Sequence, residues 1–161
     1  MTAVPGDQEV TLYWDFIAEQ SMDPITKKLD FQGYKLYRAS EPEFSDAFSI
    51  TNGLGNSEGY IPIAQFDKDD DVDGFFFPSQ ELFQQAQGYS YYLGNNSGIK
   101  HQYIDRDVIN GKKYYYALAA YDEGETVLDI FPSENTKFIS ELSDGSIILD
   151  KNTAVAIPTV K

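Results

Sequence analysis

Val108-Ile109-Asn110-Gly111-Lys112-Lys113-Tyr114-Tyr115-Tyr116-Ala117-Leu118-Ala119-Ala120-Tyr121-Asp122 reads as a tight corner running into a strand. Asn-Gly is the pair that best accepts positive φ in a short turn. Successive side chains of a strand point to opposite faces. Tyr114, Tyr116, Leu118 and Ala120 therefore form an inner set, and Tyr115, Ala117, Ala119 and Tyr121 an outer set. The same period recurs outward along the chain. Val10, Leu12 and Trp14 share a face, and Tyr34 and Leu36 oppose Lys35 and Tyr37 within Gly33–Arg38. Tyr60–Phe66 is a further strand, and Pro62, which cannot donate to a ladder, marks it as an edge. Lys100–Asp105 is another strand, with His101, Tyr103 and Asp105 on one face. Residues 135–142 and 146–157 form a last pair, joined at Asp144-Gly145. Ser79 caps one short helix running to Gln87, with Gly88 as its stop. Residues 16–31, polar with Asp23-Pro24, and 51–59, rich in Gly and Asn, read as connections.

Many short strands separated by turns indicate an all-β antiparallel sandwich. A chain of 161 residues is one domain, large enough to bury roughly two thirds of its unfolded surface. Hydrophobic residues at 42% and aromatic residues at 15% exclude a disordered chain. The net charge of -14 repels phosphate backbones and anionic lipid, which argues against nucleic-acid and membrane-surface roles. No apolar run approaches the roughly 20 residues that cross a bilayer, so no membrane insertion is expected. With no cysteine, there is no disulfide framework, thiolate metal site or Cys nucleophile. Residues 1–6 have neither the basic nor the apolar stretch of a signal peptide, which leaves a cytosolic chain or a segment excised from a longer secreted protein; the fold favours excision, which is the expectation.

These strands together resemble a fibronectin type III domain, an immunoglobulin-like sandwich. Val10-x-Leu12-x-Trp14 is similar to strand B with its core Trp, and Gly33–Arg38 to strand C. Val108–Tyr114 resembles the E–F corner, where the Tyr hydroxyl bonds back to upstream backbone, and Tyr114–Ala120 resembles strand F. Pro132-Ser133-Glu134-Asn135 falls where the last strand usually begins. The resemblance implies core strands at about 4–39 and 100–140, a long insertion between strands C and E at about 40–99, and an extra C-terminal strand in an extension at 141–161. Insertions included, the chain is similar to enlarged modules of large secreted or surface proteins of environmental bacteria.

Two groups of residues carry candidate chemistry. Asp69-x-Asp71-x-Asp73-Gly74 has the alternating oxygens of a calcium loop. Its twelfth position is Gln80, however, and Glu81 comes one residue late, so a solvated acidic turn stands beside the calcium reading. Phe75, Phe77, Tyr89, Tyr91 and Tyr92 are inserted aromatics that would form a sugar or protein platform if exposed. Alternatively they form a satellite core that orders the insertion. His101 is the only histidine, and nothing nominates a Ser nucleophile for it. The chain is therefore expected not to be an enzyme. The expected role is an extracellular or cell-surface structural or adhesion module, whose partners are neighbouring domains or copies of itself. Self-association would pair residues 146–157 with another copy, and the intramolecular alternative folds them back on their own domain. The alternative function is a carbohydrate-binding module that takes glycan on the 60–99 aromatics.

Overall fold

The computed structural model describes residues 1–47 and 49–160. Two antiparallel sheets form its centre. Strands β1 (Thr2–Gly6), β2 (Glu9–Tyr13), β3 (Phe31–Ala39), β4 (Ser49–Thr51), β5 (Ser57–Tyr60), β6 (Ala64–Asp67), β7 (Gly74–Phe75), β8 (Tyr92–Gly94), β9 (Gln102–Asp105), β10 (Tyr114–Asp122), β11 (Ile139–Glu141), β12 (Ile147–Leu149) and β13 (Thr153–Ala156) follow in chain order. Helix α1 (Gln80–Gln85) lies between β7 and β8. One sheet is ordered β1-β2-β9 and the other β13-β10-β3-β6, and the remaining strands form three two-stranded ribbons.

The inner sets meet where the alternation places them. Val10 and Leu12 of β2 pack against Phe31, Tyr34 and Leu36 of β3 and Tyr114, Tyr116 and Leu118 of β10. The Tyr114 hydroxyl accepts from the Ile109 N–H at 3.0 Å and closes the corner before β10. Across the two sheets, Arg38 of β3 donates to both oxygens of Asp105 on β9, at 2.9 and 3.0 Å. Asp105 is 2% exposed and also accepts from the Tyr116 hydroxyl at 2.9 Å. A buried carboxylate needs such partners to hold its charge out of water. Asn110, at the corner, instead bonds the β1–β2 turn through Gln8 N–H and Asp7.

The outer sets are buried as well. Tyr37, Ala39, Tyr115, Ala117 and Ala119 pack with Phe44 and Ile139, while Tyr121 joins Phe76, Tyr91 and Leu93. The four-stranded sheet thus has one face on its partner sheet and the other under inserted segments.

Four expectations change. Trp14 is half-buried rather than a core residue: β2 ends at Tyr13, and the ring lies at the margin against Tyr34 and Phe66, with centroids at 6.0 and 5.8 Å. Residues 16–31 are not uniformly polar at the surface, since Phe16, Ile17, Met22, Ile25 and Leu29 are all exposed. The 40–99 segment is not wholly an insertion, because β6 within it is an edge of the main sheet beside β3; the expected Tyr60–Phe66 strand is broken, with Tyr60 closing β5 and Pro62 lying between β5 and β6. Finally, Pro132–Asn135 does not begin a continuous last strand. It touches β10 through the Tyr121–Glu134 bridge and leaves for the β11–β12 ribbon. The chain returns as β13, which pairs with Tyr114–Ala117 of β10. The 146–157 stretch therefore folds back on its own domain, and the pairing ends before Pro158.

Candidate functional site

The outer face of β3 carries Lys35 and Tyr37, whose cross-strand neighbours on β10 are Ala119 and Ala117. Those two small residues leave room above the sheet, and the long side chains fill it. Lys35 is 3% exposed. Its Nζ sits 3.6 Å from the Tyr91 ring centroid and 3.4 Å from Glu134 Oε1. The Tyr37 hydroxyl donates to both Glu134 oxygens at 2.9 and 2.8 Å, and the Tyr91 hydroxyl donates to Oε1 at 2.7 Å. Glu134 is held by its neighbours in the chain. Ser133 N–H donates to Asp122, and Asn135 exchanges bonds with Ala120 of β10. The segment that fails to extend the sheet is thus fixed where its carboxylate can reach the buried lysine.

Burial shapes the protonation of this cluster. It pushes the Lys35 ammonium down to about 8, with Glu134 opposing. It pushes the Tyr37 and Tyr91 hydroxyls up, and the Glu134 charge adds to that. Lys137 is also lowered by burial, against the pull of Glu134. Its Nζ lies 4.2 Å from the Tyr60 ring centroid, and among the described residues no carboxylate is within ion-pair distance of it.

Together these residues line a groove of about 340 Å³. Lys35, Glu134 and Lys137 line it together with the aromatic residues Tyr60, Tyr89, Tyr91 and Phe131. Tyr89 and Phe131 lie nearly parallel, 28° apart with centroids at 6.3 Å. Glu58 stands at the rim, with Oε1 accepting from Asn52 at 2.7 Å. Asn52 orders the Gly-rich 51–59 loop by accepting from Leu54 and Asn56 N–H groups.

The expected platform divides. Tyr91 is buried and Tyr89 half-buried, and both face the groove through the satellite cluster with Phe76. Phe75 packs on Tyr92 at 5.2 Å outside the groove, and Phe77 stands 80% exposed by itself. The five aromatics therefore do not form one surface.

Asp69, Asp71 and Asp73 are not brought together either. Among the described residues, the one trio whose carboxylate oxygens lie within 4.8 Å of one another is Asp23, Asp30 and Asp122. The acidic loop is instead closed by Asn96, which accepts from the Asp70 and Asp71 N–H groups and donates to Asp73. Asp67, fully buried, accepts from Asn96 and Ser97 and anchors that closure. In the other trio, Asp23 accepts from Ile25 and Thr26, and Asp122 from Gly124 and Ser133, so both serve turns. Asp30 is raised chiefly by burial, then by its two acidic neighbours. His101 contacts Glu19 at 2.5 Å, not Asp105.

Lys35, Tyr37, Glu134 and Lys137 were not picked out by sequence reasoning. The available signal was a lysine flanked by Tyr34, Leu36 and Tyr37 in the middle of β3. Comparison with protein-family models, with curated proteins and with solved structures found no match.

Proposed function

We propose that the chain is a non-catalytic structural or adhesion module of the fibronectin type III kind, acting at a cell surface or outside the cell within a larger assembly. The observation that carries this reading is the strand order, β1-β2-β9 packed on β13-β10-β3-β6, with the Tyr114 corner before β10. On this reading β2, β3, β9 and β10 correspond to strands B, C, E and F. The path of the chain supports the same reading. Thr2 pairs with Tyr13 at one end of β1, while Thr159 N–H donates to Gly6 at the other. A chain that enters and leaves at opposite ends of a sandwich can be joined in series with neighbouring modules. Use of β13 inside the domain favours neighbour contacts over strand exchange as the mode of assembly.

A two-copy fusion, linked from residue 160 to residue 1, tests the reading. Each copy is expected to melt as the single chain does, and X-ray scattering is expected to show an extended pair. Turnover of ester, glycoside or phosphoester substrates that is abolished by Glu134→Gln would overturn the non-catalytic assignment.

A further inference from the structure

We propose that the groove between Lys35, Tyr60, Tyr89, Phe131, Glu134 and Lys137 is a binding site for a neutral saccharide. A volume of about 340 Å³ lies within the usual range for small-ligand sites. The proposal goes beyond the module reading and uses a different set of residues from the exposed phenylalanines.

The chemistry of the walls selects the ligand. An organic cation is disfavoured, because the protein's own ammonium groups already sit over the Tyr91 and Tyr60 rings, at 3.6 and 4.2 Å. A polyanion is disfavoured by a chain charge of -14 and by Glu58 and Glu134 at the groove itself. A purely apolar ligand would strip water from Lys137 and Glu58 without replacing it. A sugar ring answers all three constraints. Its C–H face can lie against the aromatic side chains of Tyr89 or Phe131, both of which line the groove. Each of its hydroxyls both donates and accepts, which matches a groove holding carboxylate acceptors and an ammonium donor side by side. Lys137 is the donor with capacity to spare, since among the described residues no carboxylate neutralises it at close range. The lining residues Lys35, Tyr91 and Glu134 are tied to one another, and Tyr37 beneath Glu134 adds two further bonds. Preorganisation of that kind spares a ligand the cost of ordering its site.

The test is titration calorimetry of the whole chain with cello-, xylo-, laminari-, manno-, galacto- and chito-hexasaccharides at millimolar concentration, with hexagalacturonate as the acidic comparison. At least one neutral oligosaccharide is expected to bind. Tyr89→Ala and Lys137→Gln are each expected to weaken it by roughly tenfold or more, and Phe77→Ala is expected to leave it unchanged. Should Tyr89→Ala melt early, Lys137→Gln carries the comparison, with its fold checked by circular dichroism. No binding by any neutral oligosaccharide overturns the proposal, as does preference for hexagalacturonate or equal loss in Phe77→Ala. The module reading survives each of those results, since it falls on turnover or on failure of the two-copy fusion.

Discussion

Replacing Lys35 by Met removes a charge that the fold holds at a cost. In the folded chain the ammonium is out of water, and its pKa falls from 10.5 to about 8 even with Glu134 beside it. At 1.36 kcal/mol per unit, the environment disfavours the charged form by roughly 3 kcal/mol near neutrality. Met keeps the apolar stem and abolishes that penalty, but gives up the attraction to Tyr91 and Glu134. The Glu134 side chain, 27% exposed and still bonded by the Tyr37 and Tyr91 hydroxyls, is not left as a stranded buried charge, so Lys35→Met is expected to gain about 1–2 kcal/mol at pH 7. Glu134→Gln does the opposite. It strands the ammonium with two tyrosine hydroxyls and is expected to cost at least about 2 kcal/mol. The pH dependence has a definite sign. Between about pH 8 and 10.5 the unfolded chain still holds the Lys35 proton while the fold releases it, so wild-type stability rises with pH. Lys137, lowered in the same direction, adds a smaller rise that persists in the variant. The buried tyrosines are raised, so above about pH 10 the unfolded state loses their protons first and stability falls. Urea melts at about pH 7 and pH 9.5 separate these effects. Destabilisation of Lys35→Met by more than about 1 kcal/mol at pH 7 would refute the reasoning, and so would an unchanged rise toward pH 9.5.

Three further outcomes are expected. Asp105→Ala, which leaves Arg38 with Asp107 alone and orphans the fully buried Tyr116 hydroxyl, should cost about 3 kcal/mol by chemical denaturation. Adding Tyr116→Phe should recover part of that loss, because an orphaned hydroxyl disappears with it. Tyr114→Phe should lower stability by about 1 kcal/mol, since the Ile109 N–H loses its acceptor while the ring still fills the core. A chain ending at Asp144 lacks β12 and β13 and should remain monomeric in light scattering yet lose its cooperative melt; an unchanged melting temperature would show that β13 contributes little.

The strands with one face on the core were the readable ones. Alternation alone placed β2, β3 and β10, whereas the expected Tyr60–Phe66 strand is split around Pro62. Ser79 does cap α1, accepting from Leu82 N–H, although the helix stops at Gln85. The candidate site was much less legible, because a sheet buried on both faces loses the polar half of its pattern. Lys35 occupies a position that a one-sided sheet would leave in water, and its carboxylate partner is a distant residue in a segment that looks like the start of a strand. Tyr89 and Tyr91 were visible as inserted aromatics, but which of them would face a groove depended on how the insertion folds back. The course of 132–152 was hidden for a related reason. Local pairing signals favoured a strand at Pro132, whereas the sheet takes only one bridge there and its longer partner from β13.

The split edge of β10 also orders events in time. During synthesis β10 can pair with β3 as soon as residue 122 is free of the ribosome, but its other edge has no full partner until residues 153–156 follow. For that interval a strand reading Tyr-Tyr-Tyr-Ala-Leu-Ala-Ala-Tyr offers unpaired backbone to any passing chain. Such exposed edges are where nascent β-proteins aggregate. The Glu134 bridge near its upper end becomes available earlier than β13 does and covers part of that edge. The excursion through β11 and β12 therefore makes the nascent chain depend on a provisional guard, and conditions that slow elongation after residue 135 should lower soluble yield more than a pause before β10.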